Sequence, residues 1–227
     1  MSPQETLIEL VKDRRELLQH NRRYLAQGHC KQFRNATKFP VYQMHEVTTS
    51  TNNHYLLLNT FEDRAHVYQQ NPMFEARAIV ETGKGKAAVA VVSAPKAEHG
   101  LCVFYFMPHL FSRYRERMGL NIDGIELMRY MFKRNDDFLH HAKYRRKTKD
   151  DDSDVMLSCY DGAVFGYRHP QDRNSVVLMT FVANDTMQEG YKSRFNKEYN
   201  DEVAERRREL SLLMPNVVLP PLKLRKQ

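Results

Sequence analysis

The sequence predicts an α+β fold, in which a mostly antiparallel sheet carries helices packed on one face and long helices lie at the N- and C-termini. Three observations support this prediction. Leucines recur at helical spacing near the start of the chain. Short segments rich in β-branched and aromatic residues alternate with tight-turn sequences. A continuous apolar run, Leu101–Met107, has the composition of a strand buried on both faces.

The first helix is predicted to run from about Pro3 to Gln27. Ser2, Pro3 and Glu5 are the residue types of a capping box with its preferred proline, and Gly28 stands where a left-handed helix stop is expected. One face of this helix is apolar because its hydrophobic residues recur at helical spacing. These residues are Leu7, Leu10, Val11, Leu17, Leu18 and Leu25.

The first group of strands is predicted from composition and from the turns between them. Two β-rich segments come first, Val41–Thr49 and His54–Phe61. Ala76–Thr82 and Ala87–Ser93 then flank Gly83-Lys84-Gly85-Lys86, which is typical of a hairpin turn. This turn lacks the spacing and the Ser or Thr of a phosphate-binding loop, so the hairpin interpretation is favoured.

The second half of the chain combines two helices with a second group of strands. The helices are predicted over Pro108–Met118, closed by Gly119, and from Gly124 to about Ala142. The strands are predicted over Val155–Tyr160, Val164–His169 and Ser175–Val182, the first two joined by a turn at Asp161-Gly162. We expect these strands to share one sheet with Leu101–Met107, with both helices on one face.

Three regions follow from this order of elements. Residues 1–40 form the N-terminal helix and a linker, and residues 41–186 form the α+β core domain. Residues 187–227 contain a last long helix, for which Asp185 and Gln188 supply a capping pattern. Three prolines make the tail Pro215–Gln227 extended.

Composition restricts the class of protein. The chain has 227 residues, of which 41% are hydrophobic and 11% aromatic, which is enough for one main domain. Its longest apolar runs fall short of the roughly 18 residues of a spanning helix, and its first residues lack a secretory pattern. The odd, widely spaced cysteines, Cys30, Cys102 and Cys159, indicate reduced buried thiols. We therefore expect a cytoplasmic protein with no membrane partner, metal or other cofactor.

The chain is basic, and one stretch concentrates positive charge. Lys and Arg total 35 against 28 Asp and Glu, a net charge of +7. The stretch from Arg129 to Lys149 contains eight basic residues and two acidic ones, Asp136 and Asp137. Such a stretch favours a polyanion, although a solvated helix end and loop is the alternative. The residues expected to contact nucleic acid are Lys133, Arg134, Lys143, Arg145, Arg146, Lys147 and Arg168.

The helix that begins at Pro108 carries residues suited to acid–base chemistry. At about 100° per residue, its apolar side holds Phe111, Tyr114 and Met118, and the other side holds His109, Ser112, Arg113 and Glu116, with Arg117 at the margin. Histidine exchanges protons near neutral pH, and arginine binds phosphate with two hydrogen bonds. Metal-independent RNA cleavage needs a base, an acid and fixed cations. A solvent-exposed helix face without a catalytic role is the alternative.

A family resemblance involves the same helix. The sequence His109-Leu110-Phe111-Ser112-Arg113-Tyr114-Arg115-Glu116-Arg117-Met118-Gly119 is followed by a second helix, the hairpin at Asp161-Gly162 and the strand Val176–Val182. This arrangement resembles the barnase- and RelE-like superfamily of small ribonuclease toxins, over Ala87–Thr186 at most. The present chain adds a long N-terminal helix, further strands and a C-terminal helix.

The resemblance implies an intracellular ribonuclease fold that acts without a metal. It implies that His109 is the general acid or base, that Arg113 and Arg117 contact phosphate, and that Thr180 supplies a polar contact from the sheet. The leading hypothesis is thus an RNA-directed protein, in its sharpest form a RelE-like endoribonuclease toxin. The alternatives are a non-catalytic module that binds nucleic acid or protein, and an interaction protein whose terminal helices bind a regulator.

Overall fold

The computed structural model describes residues 3–93, 101–135, 139–140, 154–170 and 172–187, and six single positions between 197 and 208. Its helices are α1 (Pro3–Ala26), α2 (Arg64–Gln69), α3 (Pro108–Arg117) and α4 (Gly124–Arg134). Its strands are β1 (Val41–Thr48), β2 (His54–Phe61), β3 (Met73–Thr82), β4 (Gly85–Ser93), β5 (Leu101–Phe106), β6 (Leu139–His140), β7 (Asp154–Cys159), β8 (Gly162–His169) and β9 (Asp172–Ala183).

All these strands belong to one sheet, in the order β1-β2-β3-β4-β5-β9-β8-β7-β6. Neighbouring strands are antiparallel except β5 and β9, which pair in parallel from Val103 with Ser175 to Phe106 with Leu178. The predicted α+β class and mostly antiparallel pairing are therefore confirmed. So is the prediction that the apolar run of β5 shares a sheet with the hairpin at Asp161-Gly162 and with β9.

Helices cover both faces of the sheet, so the prediction of helices on one face holds only for α3 and α4. Tyr55 and Leu57 of β2 pack with Leu17 of α1, whereas Leu56 packs in the cluster that contains Leu110 of α3. Successive side chains of a strand point to opposite faces. Since Tyr55–Leu58 are all buried, β2 needs a covering layer on each side.

The second helix of the α3–α4 pair is shorter than predicted. It ends at Arg134 and not near Ala142, and Leu139 and His140 instead form β6, paired with β7. The side chain of buried Asn135 donates to the carbonyl of Met131 and accepts from the backbone of Asp161. These hydrogen bonds of Asn135 compete with continued helical pairing of the backbone, so the helix ends here.

Besides the clusters that contain Leu110 and Leu17, a small third core joins the end of α1 to the edge of the sheet. Its buried members are Leu25, Cys30, Phe61 and Val67. The sequence prediction did not include α2, which carries Val67 and begins after Asp63, whose carboxylate accepts from the backbone of His66 at 2.8 Å. Aspartate is one of the residues preferred at the N-cap, so Asp63 favours the start of this short helix.

Further predictions concern the cysteines, the end of α1, membrane-spanning helices and the C-terminal region. All three cysteines are free and buried, as expected. Gly28 ends α1 with φ of +82°, in the left-handed region where glycine is favoured. No helix in the described part of the chain is long and apolar enough to cross a membrane. The last helix predicted after Asp185 and the Pro-rich tail lie outside the described residues, apart from the six single positions.

Candidate nucleic-acid interface

The predicted site on α3 lies on the solvent side of that helix. Leu110, Phe111 and Tyr114 are buried against the sheet, which leaves His109 exposed. Arg113 donates to Glu116 at 2.8 Å, in an exposed pair of the kind that adds little stability. Arg117 donates to the Thr186 hydroxyl at 3.2 Å, just beyond β9. The structure thus brings His109, Arg113 and Arg117 onto one exposed helix.

A cationic turn lies next to the start of α3. In the β4–β5 register Ala88 pairs with Phe106, so Lys86 is level with Pro108, the first residue of α3. Gly85 lies against the Pro108 ring, 3.6 Å from where its own Cβ would be. Lys84 is exposed, and Lys86 pairs with Glu81 at 3.4 Å. The predicted hairpin turn therefore adds two lysines near His109.

The structure does not bring Thr180 to this site. Phe181 packs edge-on against Tyr114 of α3, with ring centroids 4.9 Å apart. Thr180 precedes Phe181 in the strand, so its side chain points to the opposite face of the sheet. The cause is a register shift in which Thr180 pairs with Phe165 and Leu178 with Gly166. Met179 is the extra residue between these two pairs, and it reverses the alternation of side chains along β9.

The predicted basic stretch is divided among different environments. Lys133 is exposed on α4, whereas Arg134 donates from Nε to both carboxylate oxygens of Asp161 at 2.9 and 3.0 Å. Arg129 is held by Glu46 and Glu126. Arg168 is half-buried on β8, level with Val176. The remaining predicted contacts lie outside the described residues: Lys143, Arg145, Arg146 and Lys147.

Arg134 belongs to a buried polar network that joins α3, α4 and the β7–β8 turn. Asp161 accepts hydrogen bonds from Tyr114 at 2.6 Å and from Asn135 at 3.0 Å, in addition to those of Arg134. Burial raises the pKa of Asp161, but the donors and the charge of Arg134 outweigh it and hold that pKa below its usual value. Burial and the bond to Asp161 raise the pKa of Tyr114. This arrangement stabilises the fold and holds Arg134 at Asp161, with 40% of the arginine side chain exposed.

A second concentration of positive charge is near the N-terminus, where the sequence prediction placed no contact. Asp13 and Glu16 are the acidic residues between Lys12 and Lys38, against eight basic ones, an excess of six. The basic residues are Lys12, Arg14, Arg15, Arg22, Arg23, Lys31, Arg34 and Lys38, and all but Arg34 are exposed. This excess equals that of the predicted basic stretch Arg129–Lys149.

The two carboxylates of this segment are hydrogen-bonded to the β1–β2 region, Asp13 in a buried position and Glu16 in a partly exposed one. Asp13 is 2% exposed and accepts hydrogen bonds at 2.7 to 3.1 Å from the β1–β2 turn and the start of β2: from Thr49, Thr51, Asn53 and Tyr55. Burial alone would raise the pKa of Asp13. The four hydrogen-bond donors outweigh that effect and hold the pKa below its usual value, so the carboxylate stays charged. Glu16 accepts from the backbone and the hydroxyl of Ser50 at 2.8 and 2.7 Å.

The solvent-facing part of α1 presents arginine and lysine, and Lys12, Arg15 and Arg23 line a groove together with Glu16. We call the five exposed side chains Lys12, Arg14, Arg15, Arg22 and Arg23 the α1 basic surface. Part of it borders an open groove of about 460 Å³, between α1 and Ser50 of the β1–β2 turn. Lys12 pairs with Glu9 at 2.9 Å. The count of charges along the first 40 residues indicates this surface, whereas the apolar pattern of the helix does not.

Aromatic stacking fixes the end of α1 on β1. The ring of Tyr24 lies between those of His29 and His45, with centroids 4.1 and 3.8 Å away and nearly parallel planes. His45 is 9% exposed, and within the described residues neither of its ring nitrogens has a hydrogen-bond partner. Burial, and then the positive charges of His29, His20 and Arg129, lower the pKa of His45 to about 4.

Comparisons with protein-family models, with curated proteins and with solved structures found no match to this chain. Two exposed cationic areas are available: the α1 basic surface, and α3 with the β3–β4 turn. In the described part of the chain, no group of three or more His, Cys, Asp or Glu side chains is arranged to hold a metal ion.

Proposed function

We propose that the protein binds RNA or single-stranded nucleic acid through the α1 basic surface. The observation that carries this proposal is the direction of the charges on α1. The two carboxylates between Lys12 and Lys38 are bound to the β1–β2 turn, and five cations of α1 face solvent. Phosphates attract such a surface without reading base sequence, because lysine and arginine contact the backbone.

The dimensions of the surface suit an extended polyanion. Lys12 and Arg23 are separated by eleven residues, or about 17 Å along a helix axis. A nucleic-acid strand presents several phosphates over that length. Asp13, Leu17, Asn21 and Leu25 form the buried stripe that holds α1 on the sheet. The cations are therefore presented by a docked helix, so binding does not require that segment to become ordered.

Charge reversal on α1 tests this function. We expect Arg15→Glu/Arg22→Glu to weaken binding of a labelled 20-nucleotide RNA on the order of tenfold or more, because a surface that neutralises fewer phosphates releases fewer counterions. The slope of log affinity against log salt should also fall by roughly 0.7 for each phosphate of a single strand that the variant no longer neutralises. Fluorescence anisotropy titrations at several salt concentrations measure both quantities.

A matched control separates local contact from net charge. Arg115→Glu, at an exposed residue of α3 on the other side of the sheet, reverses one charge and is compared with Arg22→Glu alone. It should retain most of the affinity. Equal weakening by both variants, or a wild-type protein without affinity at physiological salt, would contradict an interface on α1.

A second candidate function, metal-independent endoribonuclease activity, is favoured by the position of His109. This histidine is exposed at the start of α3, on the same helix as Arg113 and next to the turn that carries Lys84 and Lys86. A proton-transfer group beside several phosphate-binding cations is the combination that RNA cleavage requires. Thr180 has no part in this version of the site, since it lies on the other face.

Replacement of His109 tests the catalytic candidate. If His109 transfers a proton, His109→Gln should slow cleavage on the order of 10²- to 10⁴-fold and leave RNA affinity nearly unchanged. The measurement is the cleavage rate of purified protein on labelled RNA, with and without ribosomes. His54→Gln, a change at the β1–β2 edge, is the matched histidine control. Equal rates for His109→Gln and wild type, or no cleavage by wild type, would exclude this candidate and leave the binding function.

A further inference from the structure

Tyr68 is an unusually exposed aromatic residue next to the basic N-terminal segment. It lies in the last turn of α2 and is 57% exposed, the largest value among the exposed large hydrophobic residues of the described chain. The guanidinium carbon of Arg34 lies over its ring, 5.5 Å from the centroid. An aromatic ring beside an arginine is the pairing with which proteins hold unpaired bases.

The support of Tyr68 is firm. Its neighbour Val67 is buried with Phe61 and Leu25, so α2 is fixed to both the sheet and α1. Gln70 closes the helix in the left-handed conformation, with its backbone N–H directed to the carbonyls of His66 and Val67. Arg64, at the start of α2, donates to the carbonyl of Ala36 at 3.0 Å. The helix that carries the ring is thus held in place before any ligand binds.

Tyr68 lies on a helix that packs against the C-terminal end of α1, which carries the α1 basic surface. Leu25 of α1 and Val67 of α2 share the third core, and Arg22 lies one turn before Leu25 on the same helix. Exposed Lys31 and half-buried Arg34 lie in the segment between α1 and β1. The helix α2, which carries Tyr68, therefore packs at the C-terminal end of α1.

We propose that Tyr68 stacks on an unpaired nucleobase of a single strand whose phosphates lie along the α1 basic surface. The inference rests on the proposed binding function and adds the substrate class, single-stranded RNA or DNA. A duplex keeps its bases stacked on one another, so it offers no base face to the ring. Stacking is tolerant of sequence, since every base has an aromatic face.

The test compares three variants on single-stranded and duplex RNA of equal length. Tyr68→Ala should weaken single-strand binding roughly five- to a hundredfold, the effect of losing one stacked base. Tyr68→Phe, which retains the ring, should restore that affinity. Tyr167→Ala removes an aromatic residue that is 38% exposed on β8, away from α1, and should have no effect. Duplex affinity should be the same for Tyr68→Ala and wild type.

A direct readout of stacking accompanies the affinities. An RNA that contains 2-aminopurine should lose fluorescence on binding the wild type and Tyr68→Phe, but not on binding Tyr68→Ala. Circular dichroism and thermal unfolding of each variant verify that α2 remains folded. Unchanged affinity of Tyr68→Ala, or an equal loss for duplex and single strand, would overturn the stacking inference.

The two proposals fail in different ways. If Arg15→Glu/Arg22→Glu weakens binding while Tyr68→Ala does not, the α1 interface stands and the stacking site is refuted. If Tyr68→Ala weakens single-strand binding while the α1 charge reversal has no effect, the base contact stands without the α1 interface. A wild-type protein with no affinity for single strands refutes both.

Discussion

Asp161 shows how a single residue of the hairpin turn organises its surroundings. Its side chain is 2% exposed, yet it carries a charge that Arg134, Tyr114 and Asn135 compensate with hydrogen bonds. Breaking a buried ion pair by removing one partner usually costs about 3 to 5 kcal/mol, because the other charge is left without compensation. The turn that the sequence predicted from Asp161-Gly162 therefore also anchors both helices of the α3–α4 layer.

At this scale we predict that Tyr114→Phe destabilises the protein by about 1 to 2 kcal/mol. The substitution removes the 2.6 Å hydrogen bond to Asp161 and leaves the ring against Phe181 in place. Urea unfolding at neutral pH measures the change. Tyr130→Phe, on the adjacent helix α4, is the control and should change stability much less. A Tyr114→Phe variant as stable as wild type would show that this hydroxyl contributes nothing.

The docking of α1 is the main feature at the scale of elements. Asp13 and Glu16 fix its first half to the β1–β2 turn, and Leu17 and Asn21 pack on β2, where Asn21 and Asn59 exchange two hydrogen bonds of 2.8 Å. Tyr24 fixes the second half by stacking on His45 of β1. The helix thus depends on a buried imidazole that is neutral when folded.

This dependence predicts that acid weakens the fold through His45. Its pKa is lowered to about 4 in the folded protein from an ordinary 6.5, so the neutral form is favoured there. The contribution is fully present above the unfolded pKa and is lost as the pH falls from 6.5 toward 4. From about pH 7 to about pH 5 the loss should be roughly 2 kcal/mol.

His45→Phe provides the comparison, since phenylalanine keeps an aromatic ring against Tyr24 and does not titrate. The free energy of unfolding, measured by urea at both pH values, should fall less for His45→Phe than for wild type. An exposed histidine serves as the control: His109→Gln should show the full wild-type decrease. Equal decreases in wild type and His45→Phe would exclude His45 as the source.

The whole molecule separates its two candidate surfaces. The α1 basic surface lies on one face of the sheet, and α3 with His109 lies on the other. The sheet separates the two places, so the effects of variants there on binding should be nearly additive. The net charge of +7 is also uneven, because Lys12–Lys38 and Arg129–Lys149 each carry an excess of six positive charges. An even distribution would be screened at physiological salt within about 8 Å.

Local chemistry determined the parts of this fold that the sequence predicted. Pro108 begins α3 because its ring presets a helical φ, and Gly28 ends α1 because it adopts a positive φ without strain. The Asp161-Gly162 turn and the Gly-Lys turn both join antiparallel strands, as their residue types require. The apolar run of β5 likewise identified a central strand, since burial on both faces needs a continuous hydrophobic sequence.

Tertiary structure decided what depends on distant residues. The sequence of β9 contains no sign of its parallel pairing with β5, nor of the register shift that turns Thr180 away from α3. The end of α4 is set by Asn135 through its hydrogen bonds with Asp161, twenty-six positions further along the chain.

The same division applies to the candidate site. His109, Arg113 and Arg117 share a helix face because helical spacing is local, and the sequence placed them together. Whether a charge faces solvent or a partner is set by the packed neighbours, which a residue count does not reveal. Arg134 points to Asp161, whereas Arg15 and Arg22 remain exposed because Asp13 on the same helix is turned to the sheet.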